Sequence, residues 1–426
     1  MPDWQVVVVG AGAAGLMAAA RAARRGRQTL LLEKNRKPGV KILMSGGTRC
    51  NLTHATDARG IVEAYGSSGR FLHSALAALG PQDVVALFEA EGVPTKVEET
   101  GKVFPKSNKA ADVLAALIRA MRGSGAELAL EEPLEDLRIE AGGFRLVTRR
   151  RELTAGKVIL TSGGKSYPGC GTTGDGYRWA QALGHTIVRP RPALVPIRSD
   201  AAWLPELKGI TIPDVLVRVA ETDDTSANRQ GGPRRSPLTR GDVLTQRRGS
   251  FLCTHFGVSG PVALDVSRAI TGHDQPRMLD LVCDFLPEVD EESLAEQLAR
   301  EAQSAGKRRL GTILAQWTVG RLAEVFLQRA AIAADRRAAD LSKVERLRLV
   351  GSMKRLAIPV AGTLGFEKAE VTAGGVALDE VDSRTLQGKR VANLYFAGEL
   401  LDLDGPIGGY NFQAAFSTGW LAGERC

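Results

Sequence analysis

The first residues that suggest chemistry form a glycine-rich run near the beginning of the sequence. Gly10, Gly12 and Gly15 have the spacing G-x-G-x-x-G, and Ala13 and Ala14 separate the last two glycines. Residues this small allow a pyrophosphate to approach the backbone. A helix that begins here directs its unpaired N–H groups and its positive dipole end at the phosphates. The run therefore predicts a site for a nucleotide.

The neighbouring residues supply the elements that such a site needs. Residues 5–9 predict a strand, residues 16–25 an alanine-rich helix, and residues 29–32 a second strand. Glu33 ends that strand, 18 residues after Gly15, where a carboxylate can accept hydrogen bonds from both hydroxyls of an adenosine ribose. Together these features form a complete βαβ dinucleotide-binding fingerprint, which FAD and NAD proteins share.

A second loop favours FAD over NAD. It runs from Lys34 to Thr53 and contains the small residues Ser45-Gly46-Gly47. A flavin needs such a loop because its ribityl and isoalloxazine groups extend beyond the first helix and require close backbone approach. In this segment the expected cofactor-binding residues are Lys34, Lys41, Ser45, Gly46, Gly47, Arg49 and Asn51.

Two further segments complete the expected flavin site. A strand at 157–161 leads into a Ser-Gly-Gly turn, and a strand at 392–397 ends in a Gly-Glu pair whose carboxylate can hold a ribityl hydroxyl. The last helix, 412–422, is expected to direct its N-terminal amides at the pyrimidine end of the flavin and to stabilise the charge of the reduced ring. The expected contacts are Ser162, Gly163, Gly164, Gly398, Glu399, Asp404, Gly409, Tyr410 and Asn411.

Four motifs resemble, in their order, those of the bacterial FAD/NAD(P)-dependent oxidoreductases of the BaiN/YhiN type, also known as aminoacetone-oxidase-like flavoproteins. They stand at 39–41 with 45–53, at 254–261, at 369–376 and at 394–411, so the resemblance runs nearly from end to end. It implies an α/β protein whose Rossmann-like, glutathione-reductase-like FAD-binding domain is built from both chain ends. It also implies an inserted β-barrel domain that carries a helical subdomain. We expect non-covalent FAD, with NAD(P)H as a transient reductant.

Two positions depart from the family pattern. Thr48 stands where the family has the third glycine of its S-G-G-G run, and His54 stands where the family has asparagine. Both lie beside the expected flavin loop. The resemblance therefore leaves the substrate of this chain undecided.

Shifts in composition divide the chain into domains. We expect residues 1–190 to form the first part of the FAD-binding domain and residues 191–289, with prolines between short β-type segments, to form the barrel. Residues 290–353 are rich in Ala, Leu, Arg and Glu and predict the helical subdomain. Residues 354–426 are expected to return to the barrel and to complete the FAD-binding domain.

The overall composition indicates an ordinary globular protein, with 44% hydrophobic and 24% charged residues. No stretch approaches about 20 uninterrupted apolar residues, so no membrane span is expected. The five cysteines are scattered and lack C-x-x-C spacing, which predicts a reduced, cytoplasmic protein without structural zinc or another metal. Cys50 has no cysteine partner nearby and is expected to pack rather than to act in redox chemistry.

A net charge of +8 is compatible with an anionic partner such as nucleic acid or a small anion. The densest basic run lies between Arg229 and Arg248, and it is either a solvated loop or a surface for phosphates, including those of RNA. Charge alone does not choose between the two. The sequence also leaves the oligomeric state undetermined.

Acid–base chemistry has two main candidates, His255 and Tyr410, with His54 and Tyr167 behind them. A flavin carries the hydride chemistry itself, so the protein needs to hold the substrate and to control protons. Each main candidate has a structural alternative, a hydrogen bond for His255 and packing for Tyr410. We expect the two to face each other across a cleft between the inserted domain and the FAD-binding domain.

Three functions are compatible with these features. The favoured one is an oxidoreductase that acts on a small conjugated, carbonyl or amine substrate. The second is a flavin-dependent enzyme that modifies an RNA base, which the basic run would support. The third is a flavin-binding protein without catalytic activity.

Overall fold

The structure is a computed structural model that describes residues 2–222 and 243–426. These residues divide into two units. The first unit joins Met1–Pro192 with Phe366–Cys426, and the second unit is Ala193–Gly365.

The first unit begins with the predicted strand–helix–strand arrangement. β1 (Trp4–Val9) is buried at five of its six positions, and β2 (Thr29–Leu32) is buried throughout. Between them α1 (Ala13–Arg24) is rich in alanine, a strong helix former whose short side chain permits close packing on a sheet. The next elements are α2 (Val40–Thr48), β3 (Thr53–His54), α3 (Ala58–Ala64), α4 (His73–Ala78), α5 (Pro81–Ala90), β4 (Thr95–Val97), β5 (Lys102–Pro105), α6 (Ala110–Gly123) and β6 (Glu127–Ala129).

An antiparallel extension follows on the same sheet. Its elements are β7 (Leu134–Glu140), β8 (Gly143–Thr148) and β9 (Glu152–Leu160), after which come α7 (Asp175–Ala182) and β10 (Ile187–Ala193). β9 pairs in parallel with β1, with Val7 opposite Val158, and antiparallel with β8. The sheet order is therefore β6-β2-β1-β9-β8-β7.

The second unit contains an antiparallel sheet and a group of helices. Its elements are β11 (Ile197–Arg198), β12 (Thr211–Glu221), β13 (Val243–Thr254), β14 (Gly257–Ser259), α8 (Pro261–Thr271), β15 (Leu279–Asp284), α9 (Glu291–Ser304), α10 (Leu310–Leu314), α11 (Gly320–Arg329), α12 (Lys343–Lys354), β16 (Leu356–Pro359) and β17 (Gly362–Thr363). Among the described residues, the strands pair in the order β16-β15-β12-β13-β14-β11-β17. Most of this sheet falls within residues 191–289 and α9 to α12 fall close to residues 290–353, but the division into a barrel and a helical subdomain stays a prediction.

The chain then returns to the first unit through β18 (Val371–Val376), β19 (Leu394–Phe396) and α13 (Tyr410–Arg425). β19 pairs in parallel with the second half of β9, beyond the residues that β8 occupies. A strand from the C-terminal end thus joins the sheet begun at the N-terminal end. This arrangement confirms the predicted fold class, an α/β protein whose Rossmann-like domain is built from both chain ends.

Close packing of α1 on α13 fixes the two chain ends together. A Cβ added to Gly419 would lie 2.2 Å from the backbone oxygen of Ala14, and one added to Gly423 would lie 2.4 Å from that of Ala18. Real Cβ atoms do not approach so closely, so both positions of α13 require glycine.

A buried ion pair joins sheet and helices in the second unit. Lys354 Nζ lies 2.7 Å from Asp284 Oδ2, and both side chains are more than nine-tenths buried. The same ammonium donates to the backbone oxygens of Leu286, at 2.7 Å, and Val289, at 2.5 Å. All three N–H bonds of Lys354 therefore have acceptors, which makes the burial of its charge tolerable.

Within the described residues, no single helix is long and apolar enough to cross a membrane. One bent pair, Gly66–Ala78 with Pro81–Ala90, reaches that length and composition only when the two segments are taken together.

We expect Lys354→Met to destabilise the protein by about 3–5 kcal/mol, because it leaves the Asp284 carboxylate buried without its counter-charge. Chemical denaturation of the variant measures this loss. The control is Arg300→Met, which breaks an exposed pair with Glu296 and should change the free energy of unfolding by less than about 1 kcal/mol. Equal losses in the two variants would contradict the role assigned to burial.

Candidate functional site

The N-terminus of α1 is shaped to receive a phosphate. Gly10 has a left-handed backbone, and a Cβ on Gly15 would lie 1.8 Å from the Gly10 oxygen, so these two glycines keep the turn tight. Gly12 is different, since a Cβ there would meet nothing within 4 Å. No side chain caps the helix, and Ala13 and Ala14 begin its first turn. Unpaired N–H groups therefore border the open space beside Gly12.

Glu33 is fixed at the end of β2 in an orientation that suits a ribose. Its carboxylate is buried, with Oε2 accepting from Ala11 N at 2.8 Å and Oε1 accepting from Asn35 N at 2.9 Å. Each carboxylate oxygen can accept a second hydrogen bond. The remaining lone pairs can accept hydrogen bonds from two sugar hydroxyls.

The predicted flavin loop includes a left-handed run that begins within the last residues of α2, where the backbone leaves the helical conformation. Gly46, Gly47, Thr48 and Cys50 have φ values of 55°, 66°, 69° and 60°. Ser45 Oγ donates to Ile42 O at 2.7 Å and so bonds to its own helix. A Cβ on Gly47 would meet nothing within 4 Å, which leaves the backbone at this point open to a ligand.

The backbone of Thr48 is strained at the position where the family pattern has glycine. A β-branched residue rarely adopts a φ of 69°, because its Cβ substituents crowd the backbone. Its hydroxyl donates to the adjacent Gly47 oxygen at 2.6 Å. This departure from the family pattern therefore costs conformational energy in the loop.

A charged network links Lys41 to Glu399, two predicted cofactor-binding residues from opposite ends of the chain. Lys41 Nζ lies 2.5 Å from Glu399 Oε2 and 2.6 Å from Ser166 Oγ. Ser166 Oγ and Thr372 N both donate to Glu399 Oε1, at 2.6 and 3.0 Å. Two of the three N–H bonds of Lys41 are engaged in this network, so the third can donate to a bound cofactor.

Sequence reasoning missed Ser166 and Thr372. Thr372 lies within the recognised 369–376 motif, which was a usable signal, whereas Ser166 follows the Ser-Gly-Gly turn by two residues. Thr372 Oγ1 also accepts from the backbone N–H groups of Lys165 and Ser166, so it orients the serine toward Glu399.

The turn at 162–164 packs on the same network. Ser162 Oγ is buried and has no hydrogen-bond partner within the residues that the structure describes. A Cβ on Gly164 would lie 2.8 Å from Glu399 Oε1, and Gly163 has a left-handed φ of 74°. Gly398, next to Glu399, is left-handed as well, with φ 71°. These glycines allow the backbone to approach the carboxylate closely.

A buried acceptor lies at the N-terminus of α13. Asn51 Oδ1 is buried without a hydrogen-bond partner among the described residues. A Cβ on Gly409, the left-handed residue that precedes α13, would lie 2.7 Å from this oxygen. An unsatisfied buried acceptor is costly, so it favours a ligand that brings an N–H group, as the flavin pyrimidine ring does.

Asn411 braces the loop in front of α13. Its Oδ1 accepts from Gly405 N at 2.8 Å, and its Nδ2 donates to Gly405 O at 3.0 Å. Tyr65, which sequence reasoning missed, donates its hydroxyl to Tyr410 O at 3.1 Å. Burial, with the charges of Asp404 and Glu399 adding to it, raises the pKa of Tyr65 far above its ordinary value. Asp404 itself is buried in this region.

Tyr410 stacks on His54 at the first position of α13. The ring centroids lie 4.8 Å apart and the planes differ by 19°. His54 Nδ1 lies 3.1 Å from Gly408 O, which helps to hold the imidazole against the phenol. The structure thus brings one main acid–base candidate together with one secondary candidate.

Two predicted cofactor contacts have partners within the protein. Lys34 Nζ lies 2.6 Å from Asp175 Oδ2, and Arg49 Nη1 lies 2.6 Å from Glu98 Oε1. The Arg49 guanidinium also lies over the Phe104 ring at 4.0 Å. Their contacts with a cofactor stay predictions.

His255 lies in the second unit, in the turn between β13 and β14. It is exposed, and its ring centroid lies 5.1 Å from that of Phe256 in an edge-on arrangement. The catalytic role predicted for it, and the cleft shared with Tyr410, stay predictions. Tyr167, in the first unit, has a left-handed φ of 53°, and burial raises its pKa.

The basic run from Arg229 to Arg248 falls largely outside the described residues, which resume at 243. Within the described part, Arg248 pairs with Asp214 at 2.6 Å and also with Glu288. The charge of this arginine is therefore balanced by two carboxylates.

The cysteines are all buried, and none forms a disulfide. Burial raises the pKa of Cys50 to about 12, although its hydrogen bond with Ser45 opposes the shift. A thiol that does not ionise near neutral pH is a poor nucleophile and a poor metal ligand. The described residues contain no group of three or more His, Cys, Asp or Glu placed to hold a metal ion.

These features fit FAD. The open N-terminus of α1 and Glu33 suit the adenosine diphosphate portion, Lys41 and Glu399 suit the ribityl chain, and the Asn51 acceptor beside α13 suits the pyrimidine ring. A Rossmann-like domain with such a site is typical of FAD-dependent oxidoreductases.

One known protein family matches nearly the whole chain. The chain matches the HI0933-like protein Rossmann domain family over residues 4–425, and it belongs to that family. The predicted resemblance is confirmed, and the chain is an FAD-dependent oxidoreductase.

Two relatives of known name are similar to this chain over nearly its whole length. The ribosomal RNA dihydrouridine synthase of Escherichia coli K12 is 31% identical over 100% of this chain and 98% of its own length. The 3-dehydro-bile acid delta(4,6)-reductase of Clostridium scindens is 30% identical over 99% of this chain and 98% of its own length. Among solved structures, the 3-ketosteroid delta1-dehydrogenase of Sterolibacterium denitrificans has a TM-score of 0.51, with 16% identity, over 99% of this chain and 98% of that one. That likeness shows a shared fold.

We expect Gly12→Val to lose bound FAD, with affinity at least about tenfold weaker, which corresponds to 1.4 kcal/mol. The φ and ψ of Gly12, −81° and −168°, are extended and open to valine, so the protein should fold while the side chain fills the phosphate site. Flavin absorbance of the purified variant measures the loss. Gly123→Val, at another glycine whose added Cβ meets nothing, is the control and should keep its flavin. A Gly12→Val protein that retains a full complement of flavin would contradict the assignment of the FAD phosphate site to the N-terminus of α1.

We expect Thr48→Gly to stabilise the protein by about 1 kcal/mol. It removes a strain of about 1–3 kcal/mol at a left-handed position, against roughly 0.5–1 kcal/mol for the extra freedom of glycine in the unfolded chain. Thr48→Ala keeps the Cβ and should gain much less. Thermal unfolding compares the two variants, and a larger gain for alanine would show that the backbone at this position is not the source of the strain.

Proposed function

We propose that this oxidoreductase is a reductase that adds hydrogen across a carbon–carbon double bond conjugated with a carbonyl group, with NAD(P)H as the electron donor. The observation that carries the proposal is the Tyr410–His54 stack at the start of α13, beside the Asn51 acceptor. These groups combine a proton donor, a second titratable ring and a predicted flavin contact in one place.

The names of two full-length relatives support this substrate class. Dihydrouridine differs from uridine by saturation of a ring double bond that is conjugated with a carbonyl. A delta(4,6)-reductase acting on a 3-dehydro bile acid likewise reduces a double bond conjugated with the 3-oxo group. The two molecules differ greatly, so the reaction is what they share.

FAD, when bound, would supply the hydride that it has received from NAD(P)H. Reduction of the double bond also needs one proton, which the protein must deliver to the carbon or oxygen next to the one that receives the hydride. Tyr410 is proposed as the donor of this proton, and His54, stacked on it, as the residue that holds the phenol in position.

The N-terminus of α13 and the Lys41–Glu399 network would position the reacting groups. The helix is long, from Tyr410 to Arg425, and its first N–H groups have no side-chain cap, so they can stabilise negative charge. The network keeps Lys41 in place through two hydrogen bonds, which limits the movement of its ammonium. His255 remains proposed as a substrate contact from the second unit.

The test separates the two halves of the reaction. Bound flavin is first reduced anaerobically with NADH or NADPH, and then mixed with a cyclic enone while its reoxidation is followed. Tyr410→Phe should retain FAD and its reduction by NAD(P)H, but should slow reoxidation by the enone on the order of 10²-fold, as expected for a lost general acid.

Two histidine variants serve as matched controls. His54→Asn removes the stacked imidazole and should slow reoxidation by the enone, whereas His73→Asn, at an exposed histidine, should leave its rate unchanged. Unchanged reoxidation in Tyr410→Phe would remove the tyrosine from the mechanism. Failure of NADH and NADPH to reduce the flavin would remove the proposed donor.

A second candidate is the reduction of a uracil base in RNA. It is favoured by the name of the Escherichia coli relative, which is similar over its whole length. The same reduced protein, mixed with uridine-containing RNA in place of the enone, tests it. Reoxidation by the RNA and not by the enone would support this candidate over the first.

A further inference from the structure

A basic surface lies in the second unit, where two segments of its helical part run side by side. One segment leads into α10 and the other precedes α12. An antiparallel bridge pairs Arg309 with Arg337. Two backbone hydrogen bonds of 2.9 Å, from Leu310 N to Arg336 O and from Ala338 N to Arg308 O, hold the segments together. We call the four exposed cations here the basic bridge: Lys307, Arg308, Arg309 and Arg337.

The basic bridge differs from its surroundings in its ion pairing. None of its four side chains forms an ion pair within the part of the chain that the structure describes. The adjacent Arg336 differs, because it pairs with Glu345 at 2.7 Å and also feels the charges of Asp335 and Asp340. Among the arginines of this segment, Arg336 is therefore the one with a carboxylate partner in the described residues.

The placement of Arg309 opposite Arg337 is unfavourable for an isolated protein. Directly opposed residues of an antiparallel pair have Cβ atoms roughly 4.5–5.5 Å apart, and like charges in such positions destabilise the pairing. An anion that binds between two guanidinium groups removes this repulsion, and phosphate oxygens match the guanidinium fork.

We propose that the basic bridge binds the phosphate backbone of RNA. We choose RNA over other polyanions because reduction of an RNA base is the second candidate function. The choice of partner therefore rests on that candidate function. Binding to phosphates does not require flavin chemistry, so the two can fail independently. The net charge of +8 favours a polyanionic partner in the same sense.

The test is the double variant Arg308→Gln with Arg309→Gln. Binding to a fluorescently labelled, uridine-containing RNA is followed by anisotropy at several salt concentrations. Loss of two phosphate contacts should reduce the magnitude of the slope of log K against log salt by about 1.4, which weakens binding roughly 25-fold at 0.1 M salt if the affinities at 1 M salt are equal. FAD content and flavin reduction by NAD(P)H should not change, because both side chains are exposed.

A control variant has the same change in net charge. Lys208→Gln with Arg277→Gln removes two exposed cations of the same unit that lie outside the basic bridge. It should keep the RNA affinity within about twofold and lower the salt slope by much less. Equal losses in the two variants would overturn the proposal, since they would show that only total charge matters.

Other outcomes are also decisive. Undiminished RNA binding in the first double variant overturns the proposal. The proposal is also overturned if the protein does not bind RNA but binds phosphatidylserine vesicles through the basic bridge, because the partner would then be a membrane. RNA binding that depends on the basic bridge, in a protein whose reduced flavin reacts with the enone and not with RNA, supports this proposal and removes the second candidate function.

Discussion

The close contact between α1 and α13 is the constraint on which the first unit depends. Gly419 and Gly423 allow the two helix backbones to meet at distances that any side chain would prevent. Because α13 is held there, β19 can complete the sheet beside β9, and the start of α13 falls next to Asn51. The chain must then exit the first unit after its N-terminal part and re-enter it for its C-terminal part. The second unit is therefore an insertion between the two parts of the first.

The same constraint explains why the site is made of pairs distant in sequence. Lys41 meets Glu399, Asn51 meets Gly409, and His54 meets Tyr410. Each pair joins the segment after β2 to the segment after β19. Polar atoms buried at such a junction need partners, and the orphaned oxygens of Asn51 and Ser162 indicate that part of the hydrogen bonding is supplied by a ligand.

Local patterns made the first part of the fold predictable from the sequence. The run from β1 to Glu33 follows from β-branched residues, glycine spacing and an alanine-rich helix, all within 33 residues. The partners that complete the site were not predictable in this way. Ser166 and Tyr65 act through contacts with residues more than 200 positions away, which no spacing rule predicts, and Thr372, although it lies in a recognised motif, contacts Ser166 across a similar distance. The basic bridge was missed for the same reason, since its two segments are joined only by tertiary structure.

Thr48 and His54 are the places where this site differs from the pattern that the family predicts. A threonine at a left-handed position carries a strain of about 1–3 kcal/mol that glycine would avoid. Its methyl group and hydroxyl are exposed, so packing in the core does not account for them. His54 likewise adds an aromatic ring that stacks on Tyr410, which an asparagine side chain could not do. Both changes affect the surroundings of the flavin loop and leave the phosphate-binding turn untouched. Differences in substrate between this chain and its relatives are therefore expected to arise at these side chains.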